Sequence, residues 1–240
     1  MIKKAFEYIV GLSKPSIEFI GGEAYSDKPL HRISYIPRAS SIEMNTLSSL
    51  IDYIKSGVDS FDGQMIIHIQ SPTRVSLYSA LDRERKREEV VEVNAQLPRF
   101  AFDQFMDHEA FVIGVQSKCV DDPETDKALL LKFAGTVEAG SVAEYGDDGI
   151  TQKATIKTGI ASKGEALVPS PAVLKPFRTF PEVDQPASSF IFRMKDDKYK
   201  GIQCALFEAD GGAWKLDAME AIHAFLLNNL EGFDNFIIIS

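Results

Sequence analysis

With 240 residues, 45% hydrophobic and 25% charged, the chain is long and apolar enough to bury its own core, and this composition argues against wholesale disorder. Its 26 Lys and Arg stand against 35 Asp and Glu, a net charge of −9, which disfavours a protein that grips nucleic-acid phosphates over a broad basic surface. The imbalance is uneven: residues 1–120 carry 14 basic against 16 acidic side chains, and residues 121–240 carry 12 against 19.

Two cysteines, Cys119 and Cys204, lie far apart and read as reduced, partly buried thiols. The start, Met1-Ile2-Lys3-Lys4 followed by a short apolar stretch that Glu7 interrupts, does not have the form of an export signal. No segment has the length needed to span a bilayer. The expectation is a soluble cytoplasmic protein with no cofactor.

Taken in order, residues 3–12 read as a short amphipathic helix with Phe6, Ile9 and Val10 on one side. Residues 17–20, Gly21-Gly22 and Ala24-Tyr25 form a candidate hairpin, and residues 31–37 an extended run. Ser40-Ser41-Ile42-Glu43 has the form of a capping box. Leu47, Leu50, Ile51 and Ile54 follow at helical spacing and Gly57 sits at the C-terminal position, so a helix is predicted over residues 40–56. Strands are expected at 65–70, 74–81 and 89–94, the last two joined by a solvated, mixed-charge tip at 82–88. Phe102, Phe105, Met106, Val112 and Ile113 support a helix over 102–118; residues 110–115 alone would also suit a buried strand, and length decides for the helix. Asp122-Pro123, with Glu124 and Asp126, reads as the capped start of a helix over 124–133.

From there the pattern turns to strands. Residues 137–145 and 150–158 flank the turn Asp147-Asp148-Gly149, and Lys163-Gly164-Glu165 reads as a loop. Pro169, Pro171, Pro176, Pro181 and Pro186 keep the next stretch extended and out of the middle of a sheet. Phe190, Phe192 and Met194 alternate with polar or outward positions, Asp196-Asp197 gives a polar turn, and residues 199–208 return as a second strand. After Asp210-Gly211-Gly212 a helix is predicted over 216–230, with Met219, Ile222, Phe225, Leu226 and Leu230 on one face; Gly232 stops it, and residues 236–239 form a last strand. This β-β-α-β unit is able to bury its helix on one sheet face. The fold class expected is α+β: mostly antiparallel sheet or sheets flanked by about four helices, in two parts, 1–98 and 99–240, with a soft boundary near Pro98.

This order of elements, with Phe102-x-x-Phe105, Phe111, Pro176-Phe177 and the strand Phe190-Ile191-Phe192-Arg193-Met194, resembles the YfdQ-like group of uncharacterised phage and prophage proteins. The resemblance extends over residues 41–240 and lies in layout and spacing, with Arg193 the one matched polar position. It implies a phage-encoded protein of the host cytoplasm and carries over no catalytic residue.

No pair among His31, His68, His108 and His223 has metal-site spacing; His68, inside an apolar strand, reads as a hydrogen-bonded sheet histidine. Asp121-Asp122-x-Glu124-x-Asp126 lacks the glycine and distal glutamate of a calcium loop and reads as a helix start. Asp59 and Asp62, and Asp147-Asp148, read as turn residues. The glycine pairs match neither phosphate-binding fingerprint, and no serine has a nucleophile motif. The one local basic feature is Arg83, Arg85, Lys86 and Arg87, with Arg74 and Lys118 as potential neighbours, and Asp82, Glu84, Glu88 and Glu89 neutralise it within the same segment. Three readings follow, in order: a non-catalytic phage accessory protein that binds another protein and self-associates; a nucleic-acid-associated protein of phage replication or recombination, using Arg83, Arg85, Lys86 and Arg87; and a metal-dependent hydrolase built from dispersed carboxylates and His68.

Overall fold

The computed structural model describes residues 2–13, 15–29, 39–61, 63–83, 85–136, 142–147, 152–158, 162–167 and 170–240. The chain forms two compact units, residues 1–39 and 40–240. In the first, helix α1 (Ile2–Ser13) precedes the antiparallel hairpin β1 (Ile17–Ile20) and β2 (Glu23–Ser26). Gly21 and Gly22 make its turn at φ 64° and 91°, values that only glycine adopts without strain. Tyr8, Ile9, Val10, Phe19 and Tyr25 are all exposed. The extended run expected at 31–37 lies outside the described residues.

The second unit is α+β, as expected, and its five-stranded sheet has the order β14-β4-β5-β6-β3, with β14 (Phe236–Ile239) and β3 (Ile42–Met44) at its edges. Its centre is an antiparallel meander of β4 (Met65–Ser71), β5 (Arg74–Ser79) and β6 (Glu89–Asn94). Period-2 alternation sends Met65, Ile67, Ile69, Val75, Leu77, Val91 and Val93 to one face, where all are buried. Helices α2 (Leu47–Ser56) and α5 (Trp214–Asn229) cover that face with Leu47, Leu50, Ile51, Ile54, Ile222 and Leu226. Each such side chain, fully buried, stabilises the fold by about 1.5–3 kcal/mol.

The capping box at Ser40 does not form, and the helix starts at Leu47 instead. Thr46 is its N-cap, with Oγ1 accepting from the Ser49 amide at 3.1 Å, while Ile42–Met44 is the short strand β3, parallel to β6. A cap works immediately before the first core-facing position. Thr46 precedes buried Leu47 directly, whereas residues 42–44 serve to cover the outer edge of β6. Gly57 closes α2 in the left-handed conformation at φ 60°.

A second sheet has the order β11-β12-β13-β7 and is wholly antiparallel: β11 (Ala172–Leu174), β12 (Ser188–Asp197), β13 (Gly201–Glu208) and β7 (Met106–Asp107). Helices α3 (His108–Lys118) and α4 (Lys127–Thr136) pack on it around Phe111, Leu130, Phe133, Phe190 and Phe192. The proline-rich stretch does stay at the margin: β11 is an edge strand.

Both helices start later than predicted. Asp107 caps α3, its Oδ1 accepting from the Ala110 amide at 2.9 Å. Residues 102–107 are held to β13 instead: the Asp103 amide donates to the Leu206 carbonyl at 2.9 Å and the Glu208 amide to Asp103 Oδ1 at 3.0 Å. Asp122 closes a turn by accepting from the Glu124 amide at 2.8 Å, and Asp126 is drawn to β11, where Val173 N donates to its Oδ2 at 2.8 Å, so α4 begins after it. The β12–β13 turn is shifted too. Asp197 remains in β12 and accepts from the amides of Tyr199 and Lys200 at 2.9 and 3.1 Å.

The third sheet is β8 (Val142–Asp147), β9 (Gln152–Thr158) and β10 (Ser162–Leu167), antiparallel in the order β10-β9-β8. The β8–β9 pairing follows the expected hairpin, but Asp147, expected in its turn, ends β8 opposite Gln152. Residues 163–165, expected as a loop, are strand, paired in register with Lys157, Ile156 and Thr155. Ser162-Lys163-Gly164-Glu165 carries no apolar alternation, so the sequence pattern had no strand signal there.

The C-terminal β-β-α-β order is as predicted, but the unit does not close on itself. Its helix α5 packs on β4, and β14 (Phe236–Ile239) pairs parallel with β4, leaving β12 and β13 in the other sheet. The chain thus passes from the first sheet to the second through the extended segment containing Pro98 and returns along α5. Among the described residues no helix is long and apolar enough to cross a membrane.

Candidate functional site: an aromatic cleft over a buried arginine

That return crossing brings Trp214, the chain's single tryptophan, beside the end of β13 and the segment after β11. A cleft of about 710 Å³ opens there, walled by Phe100, Phe102, Met106, Phe177 and Trp214. The edge of the Phe100 ring comes close to α3 because residue 114 is glycine: a Cβ there would stand 2.7 Å from Phe100 Cε2. The volume falls in the range of ordinary small-ligand and peptide pockets.

Arg178 forms the floor, and its surroundings hold it in place from the backbone outward. Gln185 Oε1 accepts from the amides of Arg178 and Thr179 at 2.9 and 3.1 Å, and Gln185 Nε2 donates to the Phe180 and Val183 carbonyls at 3.1 and 3.2 Å. Thr179 Oγ1 donates to the Pro72 carbonyl at 2.6 Å, tying the loop to the first sheet. The guanidinium lies over the indole of Trp214, 4.0 Å from its centroid, with Phe190 and Phe102 at 5.4 and 5.6 Å. Nη1 donates to Glu208 Oε1 at 2.6 Å, and Nη2 donates to Ser188 Oγ. Burial lowers the arginine's pKa despite the opposing charges of Glu208 and Asp210, and a guanidinium's ordinary value is high enough to keep it a cation.

Burial acts to raise Asp210, yet the Gly212 amide, which donates to it at 2.9 Å, together with Ser188 and Arg178 holds its carboxyl below the usual range. Arg99 and Lys118 stand at the mouth, with Lys118 Nζ donating to the Arg99 carbonyl at 2.5 Å. The cleft therefore collects three cations against one carboxylate, Glu208, in a chain of net charge −9. None of Arg178, Glu208 and Trp214 was expected from the sequence. The available signal was a lone arginine inside the apolar run Pro176-Phe177-Arg178-Thr179-Phe180.

The residues singled out in advance lie elsewhere. Arg83, Arg85, Lys86 and Arg87 are all exposed in the loop between β5 and β6. Asp82 shapes this tip by accepting from the Lys86 amide at 2.8 Å, and Arg87 Nη1 donates to the Ser79 carbonyl at 3.1 Å. Arg74 does not join them: it starts β5, at the strand's opposite end, and pairs with Glu92 at 3.1 Å. Lys118 belongs to the cleft. Arg193 is half-buried and donates to the Phe192 carbonyl at 3.1 Å.

His68 points away from the core of the first sheet, opposite Ser76 in register. His108 Nε2 meets the Ala134 carbonyl at 2.5 Å, joining α3 to α4, and His31 lies outside the described residues. Asp121 pairs with Lys127 at 2.7 Å and Asp122 with Lys175 at 2.5 Å, so the acidic run serves to hold helix and strand together. Asp59 accepts from the Tyr53 hydroxyl at 2.5 Å; burial, then this carboxylate, pushes that phenol up to about 12. Asp62 and Asp148 are outside the described residues. Among the described residues no three of His, Cys, Asp and Glu gather into a group that would hold a metal ion. Cys119 and Cys204 are free and buried.

Compared with known protein families, with curated proteins and with solved structures, the chain matches none.

Proposed function

We propose that this is a non-catalytic binding protein that holds an apolar segment of a partner protein in the Arg178–Trp214 cleft. One observation carries the reading: an open, aromatic-walled cleft stands over a rigidly held, buried guanidinium. Aromatic side chains with an arginine at their centre are the usual make-up of an interface hot spot. The layout resemblance to YfdQ-like proteins adds the setting we propose for it, a phage accessory protein of the host cytoplasm.

Because Trp214 is the only tryptophan, its emission reports on the cleft alone. Titration with short Leu- and Phe-containing peptides is expected to change that emission saturably, and Ala110→Phe, which fills the cleft from the first turn of α3, is expected to abolish the change. A folded wild-type protein whose emission never saturates would sink the reading.

A second reading keeps the tip. Four exposed cations at Arg83, Arg85, Lys86 and Arg87 suit phosphate contact. It predicts a DNA or RNA mobility shift at low salt that disappears when Arg83, Arg85 and Arg87 become alanine; absence of any shift removes it.

A further inference from the structure

The five-stranded sheet ends on one side in β14, whose residues Phe236–Ile239 are all apolar and whose pairing with β4 has no bulge. Among the described residues no strand pairs with its other side. Edge strands of natural proteins are ordinarily blunted by a charge, a proline or a bulge, and β14 has none of these; β3, on the opposite edge, carries Glu43. Apolar surface lies exposed on both sides of this edge. Ile237 and Ile239 are 41% and 45% exposed on the sheet face away from the core, in register with Ile66 and His68 of β4. On the core side, Leu227 is exposed beside Phe236 and Ile238, where α5 and β14 line a depression of about 560 Å³.

The backbone decides what such an edge takes. The Met65 amide donates to the Asn235 carbonyl at 2.8 Å, and along a strand alternate residues turn their polar groups to opposite neighbours. That phase directs the N–H and C=O of Ile237 and Ile239 toward β4 and those of Ile238 outward. We infer that β14 pairs with β14 of a second copy of this chain, antiparallel about a two-fold axis centred on Ile238. In that register the two Ile238 residues exchange both their N–H···O bonds, and the Ser240 amide of each copy reaches the Phe236 carbonyl of the other. Ile237 of each copy faces Ile239 of the other at a non-hydrogen-bonded position, where side chains come closest, so the exposed isoleucines cover one another. Charge selects the same direction. Glu231 and Asp234 line the depression just before the strand. Antiparallel pairing puts the acidic groups of the two copies at opposite ends of the joint, whereas parallel pairing would set them side by side. The edge is thus complementary to itself in hydrogen bonds, apolar contact and charge, and the dimer's sheet runs continuously through both copies.

Sedimentation equilibrium of the full chain reads the dimer directly, and paired substitutions read its register. Ile237 and Ile239 both face away from the core, so charged side chains there leave it untouched. Ile237→Lys with Ile239→Lys sets lysine against lysine across the joint and is expected to weaken the dimer about a hundredfold or more. Ile237→Lys with Ile239→Glu brings opposite charges together at the same positions and is expected to stay within about tenfold of the wild type. Equal urea midpoints of the two variants show that neither has a folding defect. A wild-type protein that stays monomeric up to about 100 μM overturns the inference and leaves the edge to a strand of another protein. A dimer that the lysine pair leaves intact is made by another surface and overturns it as well. Loss of the dimer in both folded variants overturns the antiparallel register, because opposite charges would then not meet across the joint.

Discussion

The two cores of the second unit differ in what meets at their centre. Around the five-stranded sheet the fully buried positions are mostly aliphatic, with Ile67, Ile69, Val75, Leu77, Val91 and Val93 facing Leu47, Leu50 and Leu226, while Phe180 joins them and Phe61, Phe225, Phe233 and Phe236 pack at the margin. Around the four-stranded sheet, among Leu130, Leu174 and Leu206, rings meet one another at the centre: Phe192 meets Phe111 at 5.4 Å and Phe133 at 6.0 Å, and Phe190 stacks on Phe102 at 5.2 Å. Large flat rings prefer to meet edge to face, and the cleft and the buried arginine lie beside this aromatic group.

The sharpest break of this comparison is Phe192→Ala. Its ring has no exposure and touches two others, so the expected loss is about 3–5 kcal/mol, read from the urea midpoint. Ile67→Val in the aliphatic core removes one methylene and should cost only about 0.5–1.5 kcal/mol. Equal losses would mean that the aromatic core is loosely packed.

Next comes the ion pair. Glu208→Ala strands the Arg178 cation, whose side chain is only 9% exposed. Breaking a buried pair costs about 3–5 kcal/mol, and the partial exposure of Glu208 brings the expectation down to about 2 kcal/mol. Arg178→Met keeps the volume and removes the charge, so it should cost less than Glu208→Ala. The reverse order would show that Arg178 stabilises the fold chiefly through its stacking on Trp214.

A smaller effect separates the two proposed starts of α2. Thr46→Ala should cost about 1 kcal/mol, the usual worth of a side-chain N-cap, and Ser40→Ala close to nothing. Thermal melting of the two variants side by side decides it.

The aliphatic sheet was legible in the sequence because period-2 alternation of Met65, Ile67 and Ile69, and helical recurrence of Leu47, Leu50 and Ile51, are local signals. The same rule read Phe102 and Phe105 as a helix face, since rings at that spacing satisfy a helical template equally well. What overrode it was long-range: Asp103 bonding to β13 and Phe102 stacking on Phe190, about ninety residues away in the chain. Likewise the caps at Thr46 and Asp107 are short polar side chains like those at Ser40 and Asp122, and only the position of the first buried residue tells them apart. The cleft had no local signature at all. Arg178, Glu208 and Trp214 come from a loop, a strand end and a helix start, and become a site only when α5 returns toward the first sheet.

The weakest predicted effect at neutral pH concerns the thiols, both of which lie in the aromatic core. Burial pushes Cys204 up to about 12 and Cys119 up to about 11, the latter eased slightly by Lys127 and Arg178. Since the thiolate is the reactive form, native protein at pH 8 should react with a thiol reagent far more slowly than urea-unfolded protein. The sign of the pH effect follows. Folded pKa values raised above the unfolded value of 9.0 mean that the contribution to stability is complete below pH 9 and is lost as pH rises toward 11 and 12. Tyr53, in the aliphatic core, titrates in the same sense between about 10 and about 12. Urea midpoints of Cys204→Ala and Tyr53→Phe measured from pH 8 to pH 11 therefore divide the alkaline loss between the two cores. If the wild-type slope between pH 9 and 10 persists unchanged in the Cys204→Ala protein, the aromatic core admits enough water to keep that thiol near its ordinary pKa.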